Sequence, residues 1–234
     1  LGGLSTISGT FDVTSGGGIT DSGDLHVTLL ATFTVPDGNS IILDSPGNNF
    51  AGGVLFLASS GTILNLTIVN TSPILLAGLT ITGNLSVTAP GITQSGALSI
   101  GGTTFLSAAA SAITLDNAGN NFTGAVSVNT ATNLTLVDAN ALVLGTISIT
   151  GALSASAGGA ITDTGVLSIG TTTSLTAGAA NDITLDSANN FSGAVTVVSA
   201  NNVALNDTGA LILGASTISG TLTVSTAGAV TQSG

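Results

Sequence analysis

Ile183-Thr184-Leu185-Asp186-Ser187-Ala188-Asn189-Asn190-Phe191-Ser192-Gly193-Ala194-Val195-Thr196-Val197 occurs three times in this chain. An earlier copy is Ile113-Thr114-Leu115-Asp116-Asn117-Ala118-Gly119-Asn120-Asn121-Phe122-Thr123-Gly124-Ala125-Val126-Ser127-Val128. The first is Ile42-Leu43-Asp44-Ser45-Pro46-Gly47-Asn48-Asn49-Phe50-Ala51-Gly52-Gly53-Val54. Asp44, Asp116 and Asp186 mark a period of roughly 70 residues, and self-similarity at so long a period is the mark of a repeat array. Two further anchors keep the same order and spacing. Gly9, Gly83, Gly151 and Gly220 each follow a Thr/Ser-Ile-Thr/Ser triplet. The pentads ending at Gly23, Gly96, Gly165 and Gly234 share an Ile/Val-Thr-Asp/Gln-Ser/Thr-Gly pattern.

Inside each unit apolar and small polar residues alternate, as in Leu134-Thr135-Leu136, Val195-Thr196-Val197 and Leu222-Thr223-Val224. Alternation of this kind over three to five residues is the pattern of a short strand with one face inward. Gly, Asn, Asp and Ser cluster between these segments and suit tight turns. No segment carries apolar residues at helical spacing. Strands fall roughly every eight residues, so a unit holds about nine, as in short-strand repeat architectures. Three strands per coil gives coils of about 23 residues and three coils per unit.

The expected fold is therefore all-β: one right-handed parallel β-helix, or β-solenoid, over 1–234, triangular in section. Its approximate units are 9–82, 83–150, 151–219 and a partial 220–234. The handedness follows from the preference of parallel crossovers. About ten coils rising ~4.8 Å each make a rod near 48 Å. No cap is evident at either end, and open solenoid ends are unpaired edges that invite stacking on further repeats or on another copy. The segment from Asp24 to Gly38 is the least regular, and its larger residues are expected to face outward.

Composition narrows the function. The 234 residues include no Lys, Arg or Cys, and 11 acidic residues give a formal charge of −11. Nucleic acid and anionic membrane surfaces both call for basic residues, so neither is expected as a partner. With 43% apolar residues the chain can bury a core, yet no apolar run reaches membrane-spanning length. No signal peptide is visible, which suggests a piece of a longer precursor. Without cysteine there are no disulfides.

Candidate sites are few. His26 is the single imidazole and lacks a second His, Cys or Glu for catalysis or zinc, so it reads as a surface residue. Hard cations take clustered Asp and Asn oxygens, which makes Asp44, Asp116 and Asp186 the calcium candidates. Each turn offers one carboxylate, however, and Asx-turns with Asn stacked along the rod explain the same residues more simply. No metal, cofactor or catalytic group is therefore expected. Polysaccharide cleavage would need paired carboxylates, and the aspartates are scattered among turns. Thr103-Thr104 and Thr171-Thr172-Thr173 hint at an ice-binding ladder on a mixed face. Asn-x-Ser/Thr triplets begin at Asn65, Asn70, Asn84, Asn121, Asn133, Asn190 and Asn206.

The segments Gly193-Ala194-Val195-Thr196-Val197, Ala210-Leu211-Ile212-Leu213-Gly214, Thr217-Ile218-Ser219-Gly220-Thr221-Leu222-Thr223-Val224 and Ala229-Val230-Thr231-Gln232-Ser233-Gly234 resemble the repeat shafts of filamentous-haemagglutinin-like bacterial surface proteins. The resemblance covers essentially the whole chain in repeat style. It implies an extracellular location at the bacterial surface, a right-handed β-helical shaft, and a role in adhesion, aggregation or biofilm. The expected function is structural and non-catalytic, a shaft or self-stacking filament segment, with extracellular glycans or a cell surface as further partners. The alternative is a solenoid face that binds carbohydrate or ice, or a calcium-stabilised module.

Overall fold

The computed structural model describes residues 1–2 and 5–234. Thirty short strands and no helix are found among them. Paired strands run parallel and in register, each on the strand one turn earlier and one turn later. The chain is a β-solenoid of about 11 turns with about three strands per turn. The cause is local. Val, Ile, Leu and Thr alternate with small polar residues, so each strand has one inward row, while Gly, Asn and Ser let the chain bend at the corners.

The turns are shorter than the sequence spacing suggests. One ladder runs Ile74, Ile92, Ile113, Leu134, Leu153, Thr173, Val195, so a turn takes roughly 20 residues. One full repeat of roughly 70 residues then spans about three and a half turns, not three whole turns. The register shows the consequence. The ladder through Ile41 continues by Leu66, Leu85 and Thr104 to Val126, bypassing Ile113. The ladder through Ile113 in turn bypasses Ile183, which pairs with Ile161 and Val203. The path through Ile41 goes on from Val126 by Leu144 to Asp163, whose strand carries Ile183 on the next turn, so the first and third copies share one face seven turns apart while the second lies on another.

Inward side chains form a single apolar column from Ile19 to Leu211. Burial of each Leu, Ile, Val or Phe contributes roughly 1.5–3 kcal/mol, collected turn by turn. The first turns are aromatic. Phe33 is fully buried and meets Phe11 and Phe50 edge-on, at 5.9 and 5.6 Å between ring centroids, and stacks on Phe56 at 6.3 Å. The larger residues of the Asp24–Gly38 segment thus turn inward as well as outward; Leu29 and Leu30 are the exposed ones.

Two inward strand positions carry a hydroxyl where their ladder neighbours are apolar. Thr104 stands between Leu85 and Val126, and Thr173 between Leu153 and Val195. Both hydroxyls are buried without a hydrogen-bond partner. A corner position also varies. Gly178 adopts positive φ, and Ala109, at the same place in its repeat, does so too at φ 50°.

A buried hydroxyl that finds no partner costs about 1–3 kcal/mol, and Val has the same shape as Thr without it. Thr104→Val is expected to raise the unfolding free energy by about 1 kcal/mol or more in urea titrations, with an unchanged slope against denaturant.

Candidate functional site

The most elaborate polar structure lies under the Asn-Asn-Phe turns. The first Asn of each pair, Asn48, Asn120 and Asn189, is completely buried. Its Oδ1 accepts the backbone N–H of a residue one turn below: Leu25 at 2.8 Å, Leu98 at 2.9 Å and Leu167 at 2.8 Å. With Oδ1 so fixed, Nδ2 must donate, and it reaches Asp21 Oδ2 at 2.6 Å, Gln94 Oε1 at 2.9 Å and Asp163 Oδ2 at 2.7 Å. Gln94 donates its own Nε2 back to Asn120 Oδ1 at 2.8 Å.

The same lower residues also hold the turn. Asp21 Oδ1 accepts the N–H of Asp44 at 3.0 Å, and Asp163 Oδ1 that of Asp186 at 3.1 Å. The Phe that follows buries its ring in all three copies. Its backbone N–H is taken from the turn above, by Asn70 Oδ1 for Phe50 and by Asp138 Oδ2 for Phe122. These two sites therefore link three successive turns through side chains where the backbone ladder bends away, and in the third it is the Thr208 hydroxyl that reaches down, to the Asn189 carbonyl at 2.8 Å.

The upper position is Asn70, Asp138 or Asp207, all buried. Burial pushes the Asp138 carboxyl above the usual aspartate range, opposed by hydrogen bonds from the N–H groups of Asn140 and Phe122. Asp207 Oδ2 is buried with no partner, while its Oδ1 accepts the Gly209 N–H at 2.9 Å. Asp182, on the surface, moves the opposite way, held down chiefly by the Asn202 N–H and also by the Asn201 and Asn202 side chains.

Asp44, Asp116 and Asp186 lie outside this network as side chains. All three are exposed, and among the described residues no three of His, Cys, Asp or Glu gather as a metal site would require. Asn117 does form an Asx-turn with the Gly119 N–H at 2.9 Å. The paired Asn residues do not stack along the rod, because successive copies sit on different faces. His26 is half-buried and its Nε2 lies 3.1 Å from the Gly47 carbonyl.

The threonine hints divide as well: Thr103, Thr171 and Thr172 are exposed, but Thr104 and Thr173 face the core. Of the Asn-x-Ser/Thr residues, Asn70 is buried in the column just described. Asn65, Asn84 and Asn133 accept the N–H of Asn84, Thr103 and Ala152 one turn on, at 2.8, 2.9 and 2.8 Å. This second corner explains the anchor glycines. A Cβ at Gly83 or Gly151 would run into Asn65 Oδ1 or Asn133 Oδ1 and into a backbone carbonyl.

The partners Asp21, Gln94 and Asp163 sit in the third sequence anchor. Its repetition marked them as structural, but their contact with the Asn pairs, more than a turn away along the chain, follows only from the turn length. Apart from Asp207 Oδ2 these groups are spent on internal bonds, so the site as built holds backbone in place rather than substrate.

Asn120→Ala removes the acceptor for a buried N–H and the partner of Gln94. A loss of about 2 kcal/mol or more is expected, against about 0.5 or less for Asn121→Ala next door, both read by urea denaturation. Asp138 also makes stability depend on pH. Its folded pKa is raised, so its contribution is present at low pH and lost as pH rises through that value. The stability of Asp138→Asn relative to the parent should therefore shift in the variant's favour between acid and neutral pH, as measured by melting temperature.

A family model described as Repeats of unknown function (DUF5649) matches the chain four times, over residues 1–56, 64–129, 131–198 and 200–234. No curated protein and no solved structure matches it.

Proposed function

Because the chain belongs to this family of repeats, we propose that it is a structural shaft in which each turn is the template for the next, not a catalyst. The observation that carries this reading is the polar column at the Asn-Asn-Phe corners. Three times, a buried Asn amide and the acid or amide below it, groups that elsewhere serve chemistry, are consumed in tying turns together, and twice a buried side chain of the turn above joins them. Such a rod gains reach at a constant cost per turn, since each repeat contacts only its neighbours.

A turn laid in register on the last continues both the ladder and the apolar column, whether it comes from further repeats or from a second copy.

The finer reading places the shaft outside the cell, at a bacterial surface, within a large adhesin of the filamentous-haemagglutinin-like kind whose repeats it resembles. A chain with no Lys or Arg offers trypsin-like proteases no cleavage site, which suits an exposed fibre. In this reading no metal is needed, because the turns are held by Asn, Asp and Gln hydrogen bonds alone.

Electron microscopy of the purified chain, with and without a chelator, tests the proposal. Rods of ~50 Å, from about 11 turns at ~4.8 Å, joining end to end and unaffected by chelation, are expected. Rods that never join would leave a shaft without self-assembly. Loss of the rods, or a lowered melting temperature, on chelation would instead show a calcium-stabilised module.

A further inference from the structure

The stack is least regular where Val126–Ala131 lies on Leu142–Ile149. Register slips twice there, with Val126 on Leu144, Val128 on Ile147 and Ala131 on Ile149. Asn129 and Thr130 are pushed to the surface. Beside them a depression of ≈260 Å³ is bordered by Phe105, Ser127, Asn129, Thr146 and Ser148. It continues past Ser148 into a second one of ≈420 Å³, reached from Ala109 and Thr150. Together they have the size of a small-ligand site.

Two departures from the repeat meet at this groove. Phe105 is 43% exposed, whereas the other phenylalanines are buried or half-buried. The same repeat position holds Thr32 and Ser174, so the outward strand needs no aromatic ring here. Ala109, at the far end, takes positive φ where Gly178 serves its counterpart. Each departure costs stability, and neither mends a contact in the core. Strain and an exposed aromatic ring gathered at one groove point to a ligand.

We propose that this groove is a subsite for a neutral oligosaccharide, with Phe105 as its platform. A pyranose ring has a C–H face and a hydroxyl rim. The face packs on the phenyl ring. The rim meets the hydroxyls of Ser127, Thr146 and Ser148 and the Asn129 amide, groups that both donate and accept. A purely apolar ligand would leave these groups dry and unpaired. No charged side chain borders the groove, and a chain of formal charge −11 without Lys or Arg repels sulfated or uronic sugars.

The test is isothermal titration calorimetry and saturation-transfer NMR of the full chain with maltohexaose, cellohexaose and chitohexaose. At least one is expected to bind, with saturation transferred from aromatic protons. Phe105→Ser, which copies Ser174, should weaken it about tenfold or more at an unchanged melting temperature, and Thr146→Val should weaken it too. No binding by any of the three at about 10 mM, or equal affinity in Phe105→Ser, would overturn the proposal. So would a change confined to sedimentation, which would make Phe105 a contact between copies.

Discussion

Everything in this molecule hangs on the backbone hydrogen bond from one turn to the next. A strand of three residues has no hydrogen bonds of its own; its N–H and C=O groups are satisfied only if the turns before and after lie in register. Leu134 shows the scheme, paired with Ile113 below and Leu153 above. The requirement fixes most other choices. Inward residues must stack on inward residues. Corners must be narrow enough for the next corner to settle on them, which is why Gly83 and Gly151 lie against the Asn oxygen and carbonyl of the preceding turn.

Where the ladder bends, side chains substitute for it. Asn can stand in for a peptide group because it carries an acceptor and a donor at the right separation, and Asn48, Asn120 and Asn189 use both. The flanking positions tolerate exchange between amide and acid: Asp21, Gln94 and Asp163 below; Asn70, Asp138 and Asp207 above. The exchange is not free. An amide in the lower position returns a bond, as Gln94 does to Asn120. A buried acid in the upper position carries a desolvation cost, seen in the raised pKa of Asp138 and the unpartnered oxygen of Asp207. Stability in the rod is thus local and graded, with some turns tied better than others.

The step of about three and a half turns per repeat moves each repeat to another side of the rod from the one before it. Successive repeats do not lie over one another, so Thr171 and Thr172 have no matching ladder beneath them, and the Asn pairs never meet one another. It also means that a substitution in a single repeat, such as Phe105 for Thr32 and Ser174, creates one unique spot on one face rather than a stripe.

The sequence by itself determined the repeat, the strands, the inward rows and the absence of helix, because alternation and turn residues act over a few neighbouring positions. It also identified the Asn-Asn-Phe turns as special. It did not reveal that Asn48 would grip Asp21 and Leu25, that Thr104 and Thr173 would face the core, or that the larger residues near Phe33 would point inward. Those outcomes depend on the number of residues in a turn. An error of two or three residues per turn leaves every strand intact but changes which strand lies beneath it. Tertiary structure alone decided that, by choosing the turn length at which inward side chains fill the column and the backbone groups of successive turns come into register.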